Sequence, residues 1–286
     1  MGRLRRYARR SGTTRPGLLG LATAAVAVAV AVVAVAVVIV PANGLASGPA
    51  ERIAATIGRA IVLSGDTSRD GTPFVGVAAV GALFTTNSGG LGQHFCTASV
   101  VHSPAGDLAV TAAHCVRENP GTILFAPGYS DGATPYGVWR VTRVYTDAAW
   151  QATQDPDDDV AFLRLAEAPD GMPVEDITGA ETLGTGWPAP AMVRVIGYPD
   201  SASEPVWCAN WAASFGPTQL RFDCGGYTDG TSGGPFLAGA SAGSGQGTVI
   251  GVIGGYEQGG DTPSVSYSIV FGGAVARLFL TAKAGG

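Results

Sequence analysis

The residues best suited to chemistry begin with a histidine. His114 stands in the sequence Thr-Ala-Ala-His-Cys, directly after the apolar run 108–110. An imidazole is the natural general base near neutral pH, because its unperturbed pKa is about 6.5. The other two histidines are His94 and His102, and a lone histidine is more often structural than catalytic. His114 becomes a candidate base because the small alanines before it favour a tightly packed turn.

An aspartate beside a buried strand is a suitable partner for such an imidazole. Three acids in a row, Asp157, Asp158 and Asp159, precede the apolar run 160–165. The first two are typical of a solvated loop or a cation-binding loop. Asp159 differs because it adjoins a strand that must be largely buried, where a carboxylate needs a partner such as an imidazole N–H. We therefore expect Asp159 to orient His114.

A glycine-rich turn could supply the nucleophile. Residues 229–235 read Asp-Gly-Thr-Ser-Gly-Gly-Pro and present the hydroxyl of Ser232. The flanking glycines allow unusual φ angles and close approach of a substrate backbone. They also free the amides of Gly230 and Ser232 to point at one spot, as an oxyanion hole requires. Alone this segment could be an ordinary Gly-Ser loop, but the three segments together indicate nucleophilic acyl transfer.

Short strands are expected to position these residues. From Pro73 on, apolar runs of four to eight residues recur between clusters of Gly, Pro, Asp and Ser. Short apolar runs separated at regular intervals by such turn-forming residues are typical of an all-β sandwich or barrel. Apolar residues between 274 and 280 follow a helical stripe, which predicts a closing C-terminal helix.

The three segments give the sequence a family resemblance. Thr-Ala-Ala-His-Cys, Asp-Val-Ala-Phe-Leu-Arg-Leu and Gly-Thr-Ser-Gly-Gly-Pro resemble the motifs of the chymotrypsin-like (trypsin-like) serine peptidases, in that family's order. The resemblance covers about residues 73–283. It implies two six-stranded Greek-key barrels with a triad of His114, Asp159 and Ser232 in the cleft. It also implies a serine endopeptidase that cleaves proteins or peptides through an acyl-enzyme, without a metal or cofactor.

The residue before the nucleophile departs from the trypsin-like pattern. Trypsin-like members usually have Asp there, which pairs with a new N-terminal amine after zymogen cleavage, whereas this sequence has Thr231. In this respect the chain is similar to the bacterial branch that includes the glutamyl endopeptidases.

The specificity pocket is the least certain part of the resemblance. The glutamyl branch binds glutamate through a histidine in its last barrel strand, where this sequence has Ile253, followed by Gly254. At the pocket floor, six residues before the nucleophile, stand Gly226 and then Tyr227. These residues predict a pocket without fixed charge and cleavage after uncharged residues. A loop insertion such as 240–247 leaves open which residue forms the floor.

Four cysteines indicate export to an oxidising compartment. Cys96, Cys115, Cys208 and Cys224 form an even set that permits three pairings. Short-range loop closure favours Cys96–Cys115 and Cys208–Cys224, and the family resemblance implies the first of these. No C-x-x-C motif or histidine-rich cluster is present, so we expect no zinc site.

The N-terminal residues predict an export signal. Residues 1–16 hold six arginines and no acid, as in a basic cytoplasmic n-region, and residues 17–40 carry no charge at all. The uncharged run is either a cleaved signal peptide or a retained transmembrane anchor. Both alternatives place the rest of the chain outside the cytoplasm, secreted or membrane-anchored. We interpret 41–72 as a linker or propeptide and 73–286 as the peptidase domain.

The charge balance excludes one class of partner. Residues 1–16 hold six of the 17 basic and none of the 22 acidic residues, so the remainder carries a net charge of −11. Such an acidic body is a poor candidate for nucleic acid binding. We expect a monomer that meets the membrane only through 17–40, if that segment is uncleaved. Two alternatives remain: a catalytically idle binding module on the peptidase fold, and an esterase-type hydrolase.

Overall fold

The computed structural model describes most of the chain beyond its N-terminal quarter: residue 67, and residues 69–87, 90–116 and 123–285. These residues belong to one compact unit. The expected segments 1–16 and 17–40, and most of the linker, lie outside the described residues. None of the helices in the described part combines the length and the apolar character needed to cross a membrane.

The described residues are mostly β-structure. The strands are β1 (Thr72–Pro73), β2 (Val80–Asn87), β3 (Gly90–Val101), β4 (Leu108–Thr111), β5 (Ile123–Pro127), β6 (Trp139–Thr146), β7 (Ala161–Leu165), β8 (Thr182–Leu183), β9 (Ala191–Gly197), β10 (Val206–Phe215), β11 (Gln219–Asp223), β12 (Pro235–Ala238), β13 (Thr248–Val252) and β14 (Val265–Ile269). The α-helices are α1 (Ala148–Thr153), α2 (Val174–Thr178) and α3 (Gly273–Ala284).

Strands β2 to β7 form a closed barrel. Their order is β2-β3-β4-β7-β6-β5, and the pairing of β5 with β2 closes it. Strand β4 pairs with β7 rather than β5, which is a Greek-key connection. Strand β6 illustrates the pattern that forms such a sheet: Trp139, Val141 and Tyr145 are buried, whereas Arg140 and Thr142 face solvent. One of the two expected barrels is therefore confirmed.

The second sheet stays open, contrary to the expectation of a second closed barrel. Its order is β14-β11-β10-β9-β12-β13-β8, with β1 paired to β10. Between β13 and β14 a serine hydroxyl takes the place of a backbone ladder: Val252 N donates to Ser268 Oγ at 2.9 Å. Gly251 makes this possible, because a Cβ there would lie 2.2 Å from that hydroxyl. Directly after β13, Gly254 N donates to Tyr267 O of β14 at 3.0 Å, but the two strands form no continuous ladder, and this half of the molecule is a half-barrel.

The predicted C-terminal helix is confirmed as α3. Its buried stripe consists of Val275, Leu278 and Ala282, spaced at one turn each. Leu280, which the sequence pattern placed on this stripe, is 59% exposed. The reason is geometric, since a residue two positions after Leu278 points to another side of the helix.

An apolar core joins the barrel to the half-barrel. One cluster of buried residues combines Val110 and Phe162 of the barrel with Leu237 and Ile269 of the second sheet, and with Val275 of α3. This continuous packing fixes the positions of the facing ends of β4, β7 and β12 relative to one another. Those strand ends carry the three chemically interesting segments.

A buried carboxyl group also lies where the two halves meet. The backbone of Glu181 bonds to Val100 O and His102 N of the first barrel. Its Oε2 accepts the amide of Gly247 at 2.5 Å, while Oε1 has no hydrogen-bond partner in the described part of the chain. Burial raises the pKa of Glu181 from 4.5 to about 7, against a smaller opposing effect of the Gly247 amide. Between pH 4.5 and about 7, Glu181 is therefore mostly protonated in the folded chain.

We expect this group to make stability fall as pH rises. The unfolded chain releases the Glu181 proton near pH 4.5 and the folded chain near pH 7, so the folded state binds more protons in that window. The contribution to the free energy of unfolding is present below pH 4.5 and lost, by about 3 kcal/mol, as pH rises to about 7. Denaturant unfolding at a series of pH values should show this loss in wild type but not in Glu181→Gln. The exposed Glu167→Gln is the control, and parallel profiles for wild type and Glu181→Gln would contradict the prediction.

Candidate active site

His114 and Asp159 form a hydrogen-bonded pair at the ends of two neighbouring strands. Asp159 Oδ2 lies 2.7 Å from His114 Nδ1, and Oδ1 accepts the backbone amide of His114 at 2.9 Å. The amide of Gly255 also donates to Oδ2 at 2.9 Å. Asp159 is only 1% exposed, so these three N–H groups replace the water that its charge would otherwise require. The arrangement fixes the imidazole with Nε2 directed away from the carboxylate.

Local sequence explains why the histidine is held so firmly. Ala112 and Ala113, which directly follow β4, are completely buried, and the chain then enters a 3-10 turn, His114–Val116. A disulfide joins Cys115 in that turn to Cys96 on β3. The bridge closes a loop with a sequence separation of 19 residues. Such a closure contributes about 3 kcal/mol in the chain-entropy model, and it clamps the turn beside the imidazole.

The second disulfide lies in the half-barrel. Cys208 on β10 is joined to Cys224, directly after β11, with a sequence separation of 16 residues. Both pairings favoured by short-range closure are therefore the ones present, and no free cysteine occurs in the described residues.

The Ser232 turn packs closely against the first barrel. Gly233 has φ +81°, and a Cβ there would lie 2.1 Å from Thr111 Oγ1 and 2.2 Å from Thr97 O. The amides of Gly230 and Ser232 donate no hydrogen bond to any described residue, whereas the amide of Gly233 donates to a carbonyl. These two N–H groups are therefore without a protein acceptor among the described residues.

A cleft brings these groups together. It has a volume of about 790 Å³, and its walls include His114, Ser232 and Gly230. One further wall is the loop 257–263. Asp159 lies behind the imidazole rather than in the cleft. His114, the Ser232 turn and the loop 257–263 therefore share one surface, although they lie far apart in the sequence.

The family comparison agrees with this architecture. Residues 96–270, more than half of the chain, match the family model of the trypsin-like peptidase domain. The chain belongs to the trypsin-like peptidase family. Its enzyme class is serine endopeptidase.

Solved structures of peptidases share the fold. The thermostable serine protease AL20, from an extremophilic microorganism, is 26% identical, with a TM-score of 0.63 over 73% of this peptidase and 99% of AL20. The protease Anisep from Arthrobacter nicotinovorans is 24% identical, with a TM-score of 0.64 over 75% and 99% of the two chains. A Glu endopeptidase in complex with MPD is 16% identical, with a TM-score of 0.58 over 77% and 98%. No curated protein matches the chain.

The four residues predicted for the specificity pocket have different positions in the peptidase. Tyr227 and Ile253 line the cleft. Gly254 packs against Asp159, where a Cβ would lie 3.0 Å from Oδ2. Gly226 lies beside the backbone of Gly71 in the N-terminal segment.

Tyr227 gives the cleft an uncharged wall. Its hydroxyl donates to Val195 O at 2.8 Å, and its ring meets the edge of Phe222. Burial raises the pKa of the Tyr227 phenol above its ordinary value, so the group stays neutral.

The other two histidines of the peptidase have structural surroundings. His94 is buried, bonds through Nε2 to Pro199 O at 2.8 Å, and packs its ring edgewise against Phe84. His102 is 71% exposed at its side chain and pairs with Glu175. Of the three, only His114 reaches the cleft.

The remaining acids of the triplet 157–159 behave as a solvated turn. Asp157 is exposed and Asp158 half-buried. Burial raises the pKa of Asp158, and three neighbouring carboxylates, Asp147, Asp155 and Asp157, raise it further. The difference between these acids and buried Asp159 agrees with the expectation from the sequence.

Thr97 is a positioning residue that sequence reasoning missed. It is completely buried on β3, and its backbone amide donates to Ser232 O at 2.7 Å. Its hydroxyl donates to Gly230 O at 3.0 Å and accepts the amide of Tyr198 at 2.9 Å. Thr97 thus links the Ser232 turn to the barrel that carries His114. No local signal could have identified it, because its partners lie more than a hundred residues away.

The described residues offer no convincing metal site. The one group of metal-ligating side chains found among them is Cys96, His114 and Cys115. The two sulfurs are joined in a disulfide and cannot act as thiolate ligands.

Proposed function

We propose that this chain is an exported serine endopeptidase in which His114, Asp159 and Ser232 form the catalytic triad. The observation that carries the proposal is the buried carboxylate of Asp159, held by both the Nδ1 and the backbone amide of His114 beside the cleft that contains Ser232. This is the geometry that a general base needs for orientation.

The first half of the reaction forms an acyl-enzyme. Nδ1–H of His114 donates to Asp159, which leaves Nε2 to accept the proton of the Ser232 hydroxyl as its oxygen attacks the scissile carbonyl. The amides of Gly230 and Ser232 receive the resulting oxyanion. His114 then donates the proton to the leaving amine, and the C–N bond breaks.

The second half repeats the same steps with water. His114 accepts a proton from water as that oxygen attacks the ester carbonyl, and then returns a proton to Ser232 Oγ as the acid product leaves. Asp159 stabilises the imidazolium in both halves, so every proton is accounted for without a metal.

One part of the cleft wall supports cleavage after uncharged residues. Tyr227, Ile253 and Ser266 contribute no charge to it. Placing an Arg or Glu side chain against this surface without a partner would cost several kcal/mol, on the order of 2–7.

Two disulfides support a location in an oxidising compartment. In this proposal 73–286 acts outside the cytoplasm, 41–72 is a linker or propeptide, and 17–40 is a signal peptide or an anchor. The N-terminal assignment rests on the sequence pattern.

The proposal is tested by labelling with an active-serine phosphonate. We expect an adduct on Ser232 in the folded protein, none in protein unfolded in denaturant, and hydrolysis of casein that labelling abolishes. Absence of an adduct would favour the idle binding module. An adduct with hydrolysis of a simple ester but not of casein would favour the esterase-type hydrolase.

A further inference from the structure

The walls of the cleft carry one sign of charge. Asp229 stands on the nucleophile turn, and Glu257 and Asp261 stand on the opposite loop. All three are exposed to solvent. Among the described residues that line the cleft there is no Arg or Lys, and none of these carboxylates forms an ion pair with one. A cleft lined by one sign of charge concentrates the opposite charge.

A second group of acids lies next to the loop that contains Glu257. Gln219 bonds to both the turn 155–158 and the segment that contains Tyr256 and Glu257. Its Nε2 donates to Asp157 Oδ1 at 2.7 Å, and its Oε1 accepts the amide of Tyr256 at 3.2 Å. The acidic turn 155–158 is therefore a neighbour of the loop that contains Glu257. Its carboxylates already repel one another, since they raise the pKa of Asp158 in addition to the effect of burial.

An aromatic surface lies beside these carboxylates. The rings of Tyr256 and Phe215 are 5.2 Å apart and 40% and 36% exposed, respectively. The ring of Tyr267 packs against both, with centroid distances of 5.0 Å to Tyr256 and 4.8 Å to Phe215. Tyr256 directly precedes Glu257, and its phenol bonds to that carboxylate, which raises the phenol pKa.

Ring faces next to carboxylates suit one type of side chain. Arg and Lys lay an apolar stem along hydrophobic surface and attract aromatic faces with their cationic heads. A neutral side chain would gain only the apolar contact, and an acidic one would be repelled.

We infer that the enzyme selects peptides that carry Arg or Lys at positions flanking the uncharged residue after which it cleaves, with Glu257 and Tyr256 as the main specificity determinants. The inference rests on the proposed function and concerns the residues that flank the uncharged part of the cleft wall. It names the substrate class as basic segments of proteins.

The first test uses internally quenched peptides of equal length. Each contains Arg, Gln or Glu at one of the successive positions on either side of an uncharged cleavage site. At low ionic strength, kcat/KM should be about tenfold higher for Arg than for Glu at the best flanking position. The preference should shrink in about 1 M salt, where the Debye length falls to about 3 Å.

Variants separate this selection from a structural effect. Glu257→Gln should lower the Arg-over-Glu preference about threefold, because it neutralises one of the carboxylates that attract the Arg side chain. Tyr256→Leu should lower the preference for Arg over Gln by a similar factor, about threefold. Glu167→Gln removes the same charge beyond the far end of β7 from Asp159, and it should leave the preference unchanged.

The outcomes distinguish the two proposals. Equal kcat/KM for the Arg and Glu peptides at every position would overturn the inference and leave the proposed function standing. A preference that Glu257→Gln and Tyr256→Leu leave intact would overturn the assignment of the determinants. Absence of cleavage of every peptide, together with no phosphonate adduct, would overturn the proposed function and this inference with it.

Discussion

Ser232→Ala is expected to lower turnover of a peptide substrate by on the order of 10⁶, and His114→Ala by a similar factor. Asp159→Asn should cost about 10⁴, because the amide would hold the imidazole in the wrong tautomer. The reason lies in the hydrogen bond of 2.7 Å between Asp159 Oδ2 and His114 Nδ1, which leaves Nε2 free to act as the base. The measurement is steady-state kinetics on the purified variants, with circular dichroism to show that each is folded.

The three losses should not add. The residues act as one unit, so the double variant Ser232→Ala with His114→Ala should be scarcely slower than Ser232→Ala alone. Matched controls are His102→Ala and Asp176→Asn, which change exposed residues away from the cleft and should be nearly neutral. His94→Ala is unsuitable as a control, because that ring is buried against Phe84. Substantial peptidase activity in Ser232→Ala would show that the proposed mechanism is wrong.

Gly230→Ala should lower turnover by about 10²–10³, the usual cost of removing one oxyanion-hole donor. Gly230 has φ +90°, and a Cβ would lie 2.5 Å from both Asp200 N and Tyr198 O. Since these contacts are with backbone, the turn itself must move and carry the Gly230 amide away from the oxyanion. The loss should appear in kcat with little change in KM, because the donor acts mainly on the transition state.

The control for Gly230→Ala is Gly239→Ala. Gly239 also has a left-handed φ, +62°, but a Cβ there would meet nothing within 4 Å. Gly239→Ala therefore introduces the backbone strain of about 1–2 kcal/mol without displacing the amide of Gly230. Unchanged turnover in folded Gly230→Ala would contradict the assigned role of that amide.

The three segments of the proposed triad were recognisable as candidates in the sequence because their signals are local. A histidine after a small-residue strand end, an aspartate before a buried strand and a serine among glycines each depend on neighbouring residues. The regular punctuation of short apolar runs likewise predicted the β-structure, and a helical stripe predicted α3. The contrast between Asp159 and Asp157 followed from the burial of β7.

Other features depend on contacts between distant parts of the chain. Thr97 holds the nucleophile turn, and the amide of Gly255 completes the shell around Asp159, yet neither lies near its partner in the sequence. The second sheet stays open between β13 and β14, where the Ser268 hydroxyl accepts the Val252 amide, and alternation of apolar residues cannot indicate such a contact.

The sequence by itself determined which residues could act as nucleophile, base and orienting acid, since those assignments follow from residue type and immediate context. Only the tertiary structure decided which groups share a surface. It placed Gly254 against Asp159, and it brought Glu257 into the same cleft as Asp229. The physical reason is that side-chain chemistry and local propensity are properties of short segments. Charge complementarity and the shape of a cleft arise only when the folded barrel and half-barrel pack against each other.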